Sequence, residues 1–220
     1  MSRFPVLLLD YDGTLAETRP AILTGLISAF KEQGFHAPSR EELEFELEQG
    51  RTLEDFCKEM APEISPEKVL AFARSYRHYY TIADEKETVL FDGVKEILEA
   101  LTSQGHKLVL LSNKYAPSLE SSVKRFDLGK WFVTYMGAEE GKPRKPQKEV
   151  LTERIRPFFP DTPLSDFLIV GDTTADLLFA QNAGISSCWV SYGHGSAASC
   201  EALRPNYHID RLSELLKIVV

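Results

Sequence analysis

Four short groups of polar residues in this sequence contain side chains that carry charge or act as nucleophiles. They are Asp10-Tyr11-Asp12-Gly13-Thr14-Leu15, Ser112-Asn113-Lys114, Lys145-Pro146 and Gly171-Asp172-Thr173-Thr174-Ala175-Asp176. Asp10 and Asp12 stand at i and i+2 after an apolar run, so at a strand end their carboxylates point the same way, and Gly13 allows a sharp turn.

Each group taken alone is typical of ordinary structure. Asp-Gly-Thr is a common turn, Ser-Asn often begins a helix, and Gly-Asp-Thr could cap a helix near Thr174. The combination supplies four carboxylates, a hydroxyl and a lysine. Because packing four acids together raises the Coulomb energy unless a cation is present, the combination favours a functional site over structural caps.

Short apolar runs that precede these groups predict the elements that position them. The predicted strands are Phe4–Leu9, Lys107–Leu111, Trp131–Met136, Phe167–Val170 and Ser187–Val190, and the predicted helices between them are Pro117–Phe126, Lys148–Phe158 and Thr174–Ala183. Most of the runs do not alternate polar with apolar residues, as expected for parallel strands covered on both faces. This order predicts a doubly wound parallel α/β sheet, in which ligands bind at the carboxyl edge.

An insertion after the first strand is predicted to be helical, dividing the chain into a core of residues 1–17 and 88–220 and a small α-helical cap domain of residues 18–87. Its start and stop signals are Thr18 with Pro20, Gly34, the capping box of Ser39 with Glu42, and Ser65-Pro66-Glu67, which starts a helix reaching about Tyr80. Glu42–Glu48 alternates like a strand, but its helix-forming residues behind a cap favour helix. Asp92-Gly93 is predicted to start the helix that leads back into the sheet, and Gly105 to end it.

The four groups, in this order and with a helical insertion after the first, resemble the haloacid dehalogenase-like hydrolases, which have a Rossmann-like core. The resemblance covers nearly the whole chain. Asn113-Lys114 after Ser112, and Gly171-Asp172-Thr173 followed by Ala183-Gly184, are similar to the phosphoglycolate phosphatase-like branch. The resemblance implies a magnesium-dependent phosphatase that hydrolyses a small phosphate monoester through an aspartyl-phosphate.

The resemblance also implies a role for each motif residue. Asp10 is the expected nucleophile, Asp12 the general acid and base, and Ser112 and Lys145 bind and neutralise the phosphoryl group. The expected Mg²⁺ ligands are Asp10, Asp172, the backbone carbonyl of Asp12, and Asp176 in the inner or outer shell. Four aspartates and a phosphate, set against one lysine and Mg²⁺, leave the site at about −3 unless Asp12 is protonated.

Substrate contacts are expected from Thr14, Asn113 and Lys114, and from Arg51 and Thr52 at a break in the insertion. Arg51 could pair with a substrate carboxylate or simply flank a helix.

Lys142-Pro143 competes with Lys145-Pro146, which is favoured because a predicted helix follows it directly. Gly193-His194-Gly195 is interpreted as a turn beside the active site.

The composition of the 220 residues narrows the function classes. The net charge is −8 with scattered lysines and arginines, which disfavours a nucleic-acid partner, and no P-loop pattern occurs. No stretch reaches the roughly 18 apolar residues of a membrane span. Cys57, Cys188 and Cys200 form no ligand cluster and suggest buried thiols in a reducing compartment. We therefore expect a cytoplasmic protein with no nucleic-acid or membrane partner. The resemblance implies a small phosphorylated substrate, and the sequence leaves monomer and homodimer open.

Several alternatives use similar residues. A pyrophosphatase or a β-phosphoglucomutase-like phosphomutase would need the same site, whereas a dehalogenase would not need Asp12. A phospho-accepting signalling receiver is the non-enzyme alternative, and the helical insertion disfavours it. The sequence leaves the ester open among phosphoglycolate, pyrophosphate, sugar phosphates and nucleotides.

Overall fold

The computed structural model describes residues 3–36, 38–48, 53, 57 and 65–220. Its strands are β1 (Val6–Leu9), β2 (Ala16–Glu17), β3 (Val89–Leu90), β4 (Lys107–Tyr115), β5 (Phe132–Ala138), β6 (Phe167–Gly171), β7 (Ser186–Val190) and β8 (Tyr207–Ile209). Its α-helices are α1 (Arg19–Glu32), α2 (Arg40–Glu48), α3 (Pro66–Glu87), α4 (Val94–Ser103), α5 (Ala116–Arg125), α6 (Thr174–Ala183), α7 (Ala197–Ala202) and α8 (Leu215–Ile218). A π-helical turn spans Val150–Ile155, and 3₁₀ turns span Gly129–Trp131, Arg156–Phe158, Leu164–Asp166 and Leu212–Glu214.

The chain divides into two compact units, Met1–Ala16 with Leu90–Val220 and Glu17–Val89. The first unit contains a six-stranded sheet in the order β5-β4-β1-β6-β7-β8, and all its pairs are parallel. The predicted doubly wound parallel fold is therefore confirmed. Chain order runs outward from β1 to β4 and β5 on one side and then to β6, β7 and β8 on the other, so β1 lies at the switch point.

Both faces of the central strands are apolar because helices cover both. Leu7 and Leu9 of β1 pack in one buried cluster, and Val6 and Leu8 pack in another on the opposite face. All four β1 side chains are buried. This double burial explains why the predicted strands lack alternation.

The second unit consists of α1, α2 and α3 in its described part. The capping box of α2 is present, since the Ser39 N–H donates to Glu42 Oε2 (2.7 Å) and the Glu42 N–H donates to Ser39 Oγ (3.2 Å). Glu42–Glu48 is helical as predicted. The interpretation of this unit as a cap stays a prediction.

Several elements differ from the sequence predictions. Helix α3 continues to Glu87 instead of stopping near Tyr80, because its apolar face continues through the buried Ala83. The helix predicted at 148–158 is a π-helical turn followed by a 3₁₀ turn, and Pro157 within it cannot donate a helical hydrogen bond. Strands β2, β3 and β8 and the short helices α7 and α8 were not predicted. Among the described residues, no helix combines the length and apolar character that crossing a bilayer needs.

Candidate active site

Sheet register brings the first, second and fourth polar groups to one edge. Leu9 is level with Leu110 of β4 and with Val170 of β6, and the Asp10 N–H donates to the Val170 carbonyl at 3.0 Å. Asp10 therefore follows the end of the central strand between its two neighbours. The next residues along those neighbours carry Ser112 and Asp172 to the same edge.

A buried acidic cluster with a lysine occupies this edge. One carboxylate oxygen from each of Asp10, Asp172 and Asp176 lies within 4.8 Å of the others, and all three residues are buried. Lys145 Nζ lies 2.8 Å from Asp10 Oδ1 and 2.6 Å from Asp176 Oδ1. It also donates to the Leu111 carbonyl at 2.9 Å. Lys142, the competing choice, is exposed.

Burial dominates the electrostatics of this cluster. It raises the pKa of Asp10 well above its ordinary value; Lys145 opposes this, and the charges of Asp176 and Asp172 add to it. Burial also raises the pKa of Asp172 to about 6, against the opposing effect of His194. Burial alone would lower the pKa of Lys145, but Asp10 and Asp176 raise it above its ordinary value. Lys145 is therefore a permanent cation, and the raised pKa values of Asp10 and Asp172 mean that its single charge does not offset the cost of ionising these buried acids.

Asp176 is fixed by the first turn of α6. Its Oδ2 accepts from the Thr173 N–H at 3.1 Å and from Thr173 Oγ1 at 2.9 Å, which leaves Oδ1 for Lys145. A Cβ at Gly171 would lie 2.2 Å from Asp176 Cγ. A glycine is therefore required where the strand passes this carboxylate.

Asp172 is held by neutral donors and closely packed glycines. Thr14 Oγ1 donates to its Oδ1 at 3.2 Å and the His194 N–H donates to its Oδ2 at 2.7 Å. A Cβ at Gly13, which has a φ of +75°, would lie 2.1 Å from Asp172 Oδ2, and one at Gly193 would lie 2.2 Å from Asp172 Cβ. The Gly193-His194-Gly195 segment thus contacts the acidic cluster. The sequence signal for this close approach is the pair of glycines, Gly193 and Gly195, that flank His194 shortly after a strand.

Asp12 has a lysine partner of its own. Lys114 Nζ lies 3.1 Å from Asp12 Oδ1 and 5.4 Å from the centroid of the Tyr11 ring. The Lys114 side chain is 5 % exposed and that of Asp12 is 22 % exposed. Lys114, expected to contact substrate, is therefore also the counter-charge of the expected general acid, which spacing alone did not reveal.

The remaining predicted residues differ in their contacts. Ser112 is buried, and its Oγ accepts from the Lys114 N–H at 3.2 Å. The side chain of Asn113 bonds to the backbone of Lys145. The side chain of Thr14 is also engaged, since its Oγ1 donates to Asp172. The backbone groups of Thr14 and Asn113 are therefore the candidates for substrate contact. Arg51 and Thr52 lie outside the described residues.

The chain is similar to known proteins over most of its length. The family model described as haloacid dehalogenase-like hydrolase matches residues 7–190. The chain is 26 % identical to a phosphoglycolate phosphatase of Vibrio parahaemolyticus, over 96 % of this chain and 93 % of that protein. It is also 26 % identical to the pyrophosphatase PpaX of Bacillus mycoides, over 96 % of this chain and 95 % of the relative.

A solved structure has the same fold. A haloacid dehalogenase-like family hydrolase from Streptococcus pneumoniae aligns with a TM-score of 0.85 at 24 % identity, covering 98 % of each chain. The family model spans most of the chain and includes all four polar groups. The family resemblance is therefore confirmed: this chain belongs to the haloacid dehalogenase-like hydrolases.

Proposed function

We propose that this protein is a magnesium-dependent phosphatase that hydrolyses a small, phosphoglycolate-like phosphate monoester through an aspartyl-phosphate on Asp10. The observation that carries the proposal is the cluster of Asp10, Asp172 and Asp176 around Lys145 at the carboxyl edge of the sheet. Membership of a hydrolase family, and relatives named as phosphatases, support it.

The residues of the cluster fit a divalent cation. Three buried carboxylates share the single charge of Lys145, and burial raises the pKa of both Asp10 and Asp172, so the ionised cluster is under-compensated. Oxygen ligands of this kind suit Mg²⁺. We assign Asp10, Asp172 and Asp176 to the metal, with the Asp12 carbonyl as a further ligand. The bound ion would supply positive charge to the phosphate oxygens.

Asp10 is the proposed nucleophile. A carboxylate oxygen of Asp10 forms a bond to phosphorus while the bond from phosphorus to the leaving oxygen breaks, and Asp12 gives its proton to that oxygen. In the second half, Asp12 takes a proton from water as the water oxygen attacks phosphorus. Inorganic phosphate leaves, and the Asp10 carboxylate is regenerated.

Lys145, Ser112 and the neighbouring backbone amides are proposed to stabilise the transferring group. Charge concentrates on the non-bridging phosphate oxygens during transfer, and fixed donors lower its energy. Lys145 Nζ already touches the nucleophile, at 2.8 Å. Lys114 adds a second positive charge beside Asp12. With Asp12 protonated for the first step, two lysines against the three remaining aspartates leave the protein groups at about −1, and Mg²⁺ offsets the charge that the phosphate adds.

We base the proposed class of substrate on the names of the relatives. One relative is named a phosphoglycolate phosphatase, another a pyrophosphatase, and a third, from Pseudomonas aeruginosa, a 5′-nucleotidase. Each of the three names describes an enzyme that acts on a phosphate compound. We therefore propose phosphoglycolate-like monoesters first and pyrophosphate second, with transfer to a sugar hydroxyl as the mutase alternative.

A panel assay tests the proposal directly. Purified protein with Mg²⁺ is supplied with phosphoglycolate, pyrophosphate, sugar phosphates and nucleoside 5′-phosphates, and released phosphate is measured. Asp10→Asn should lower turnover about 10⁴-fold or more, because the nucleophile is lost. The matched control Asp161→Asn, at an exposed position, should keep wild-type turnover.

Two results would overturn the proposal. One is folded wild-type protein that releases no phosphate from any compound in the panel. The other is an Asp10→Asn variant that hydrolyses the preferred ester at the wild-type rate. A chelator should abolish wild-type turnover, and restored Mg²⁺ should recover it.

A further inference from the structure

The side-chain amide of Asn113 makes two hydrogen bonds with the backbone of one residue, Lys145. Asn113 Nδ2 donates to the Lys145 carbonyl at 2.9 Å, and the Lys145 N–H donates to Asn113 Oδ1 at 3.1 Å. We propose that Asn113 is a positioning residue that fixes Lys145 against the nucleophile. The inference rests on the proposed function, since it assigns a role within phosphoryl transfer.

The pair of bonds requires an amide. A carboxamide has one acceptor oxygen and one donor nitrogen, so it can pair with both the N–H and the C=O of a single residue, as a residue of a neighbouring strand would. An aspartate would place a second acceptor against the Lys145 carbonyl, and an alanine or a leucine would make neither bond. The two contacts also fix the orientation of the amide, because the reverse orientation would face donor to donor and acceptor to acceptor.

Lys145 needs such support because it lies in the loop between β5 and the π-helical turn. Other side chains hold the loop on either side of it. Arg154 donates to the carbonyls of Gly137 and Pro143, and Asn182 Nδ2 donates to the Pro146 carbonyl at 2.8 Å. Asn113 bonds to Lys145 itself. Its location in β4 connects the loop to the strand that also carries Ser112.

The position of Lys145 Nζ depends on the hydrogen bonds that Asn113 makes with the Lys145 backbone. Lys145 Nζ is held 2.8 Å from Asp10, 2.6 Å from Asp176 and 2.9 Å from the Leu111 carbonyl. A shift of the Lys145 backbone must lengthen at least one of these contacts. Since a misplacement of about 1 Å can cost about 100-fold in rate, Asn113→Ala should lower kcat by about 10- to 100-fold.

A double-mutant cycle on kcat tests the inference, with p-nitrophenyl phosphate and Mg²⁺ as the probe. Asn113→Ala, Lys145→Met and the double variant are compared with wild type, and Asn113→Leu repeats the test with a side chain of the same branched shape that makes neither hydrogen bond. If Asn113 acts through Lys145, the double variant should match Lys145→Met within about twofold. Asn182→Ala is the matched control, because it removes an exposed amide bond from the next residue of the loop; it should keep the wild-type kcat.

Two outcomes overturn the inference: wild-type kcat in Asn113→Ala and Asn113→Leu, or losses that multiply in the double variant, as for a direct substrate contact. An inert wild-type protein would instead contradict the proposed function. In that case a crystal structure of Asn113→Leu decides the positioning role by itself. Displacement of Lys145 Nζ from Asp10 or Asp176 supports the role, and unchanged contacts refute it.

Discussion

Two lysines form ion pairs with three of the four aspartates at this sheet edge, and the two lysines differ in what surrounds them. Lys145 is buried and lies against two buried carboxylates and a backbone carbonyl. Lys114 pairs with Asp12, whose side chain is 22 % exposed, and lies over the Tyr11 ring. One cation is enclosed among the proposed nucleophile and metal ligands, and the other faces the proposed proton donor.

The difference between the two ion pairs is consistent with the role proposed for each acid. A nucleophile and metal ligands must stay ionised, so a fixed buried cation beside them lowers the cost of their burial. A general acid must gain and lose a proton during the cycle, so a position that water and substrate reach is more useful. The two pairs therefore predict unequal consequences of losing their lysines.

Of the effects that distinguish the two lysines, the largest is expected in turnover, which should fall further in Lys145→Met than in Lys114→Met. Lys145→Met removes a charged donor from the transferring group and leaves Asp10 and Asp176 without their cation, so kcat should fall about 10²- to 10³-fold. Lys114→Met removes one charge-assisted hydrogen bond at a partly exposed acid and should cost about tenfold. Steady-state kinetics with the preferred ester measures both.

The unfolding temperatures of the two lysine variants provide a second test of the difference between the two ion pairs. In a chelator, Lys145→Met should unfold at a lower temperature than Lys114→Met, because its acids are fully buried. Equal losses of kcat in both variants, or a greater loss in Lys114→Met, would contradict the contrast between the two pairs.

The carboxylate of Asp172, in contrast, accepts hydrogen bonds from Thr14 Oγ1 and the His194 N–H and packs against glycines. Gly193→Ala should push the loop away from Asp172, since the added Cβ would lie 2.2 Å from Asp172 Cβ. We expect a loss of about 1–3 kcal/mol in the free energy of unfolding and a 10- to 100-fold weaker affinity for Mg²⁺. Thermal denaturation and Mg²⁺ titration measure the two effects.

Gly129→Ala is the matched control, because its nearest neighbour, Val123 Cγ1, would be 3.6 Å from the added Cβ. It should leave the Mg²⁺ affinity unchanged. A Gly193→Ala variant that bound Mg²⁺ as tightly as wild type would show that this loop does not hold Asp172 in place.

The sequence predicted the parts of this arrangement that depend on chain order. Buried apolar runs located β1, β4 and β6, and parallel strands bring Asp10 and Asp172 to one edge whatever the loops do. Strand β8 was missed because it is three residues long and carries the exposed His208 at its centre. A run this short gives no pattern to recognise.

Contacts between distant loops could not be predicted in the same way. The bonds from Asn113 to Lys145 join residues 32 positions apart, and the N–H of His194 reaches Asp172 across 22 positions. Each depends on where a loop returns to the sheet, which propensity and spacing do not fix. Sequence reasoning therefore identified the charged residues and placed Asn113 and the Gly193-His194-Gly195 turn at the site, but it did not predict which residues these two hold.

The smallest expected effect concerns pH and metal in the intact protein. The pKa of Asp172 is raised to about 6 in the metal-free fold, from an ordinary value of 3.8. The folded protein therefore binds this proton more tightly than the unfolded chain does. The stabilisation is fully present below pH 3.8 and is lost as the pH rises through about 6. Burial of Asp10 acts in the same direction.

Mg²⁺ should reverse that loss, because it binds the ionised carboxylates in competition with protons. We expect Mg²⁺ to raise the melting temperature by several degrees at pH 8, at about 2–4 °C per kcal/mol, and by much less at pH 5. Scanning fluorimetry with Mg²⁺ or a chelator at both pH values measures the difference. In a chelator, Asp172→Asn should lose less stability than wild type between pH 5 and pH 8, because the titrating group is gone. A Mg²⁺ shift that is equal at both pH values would mean that these buried acids do not bind the metal.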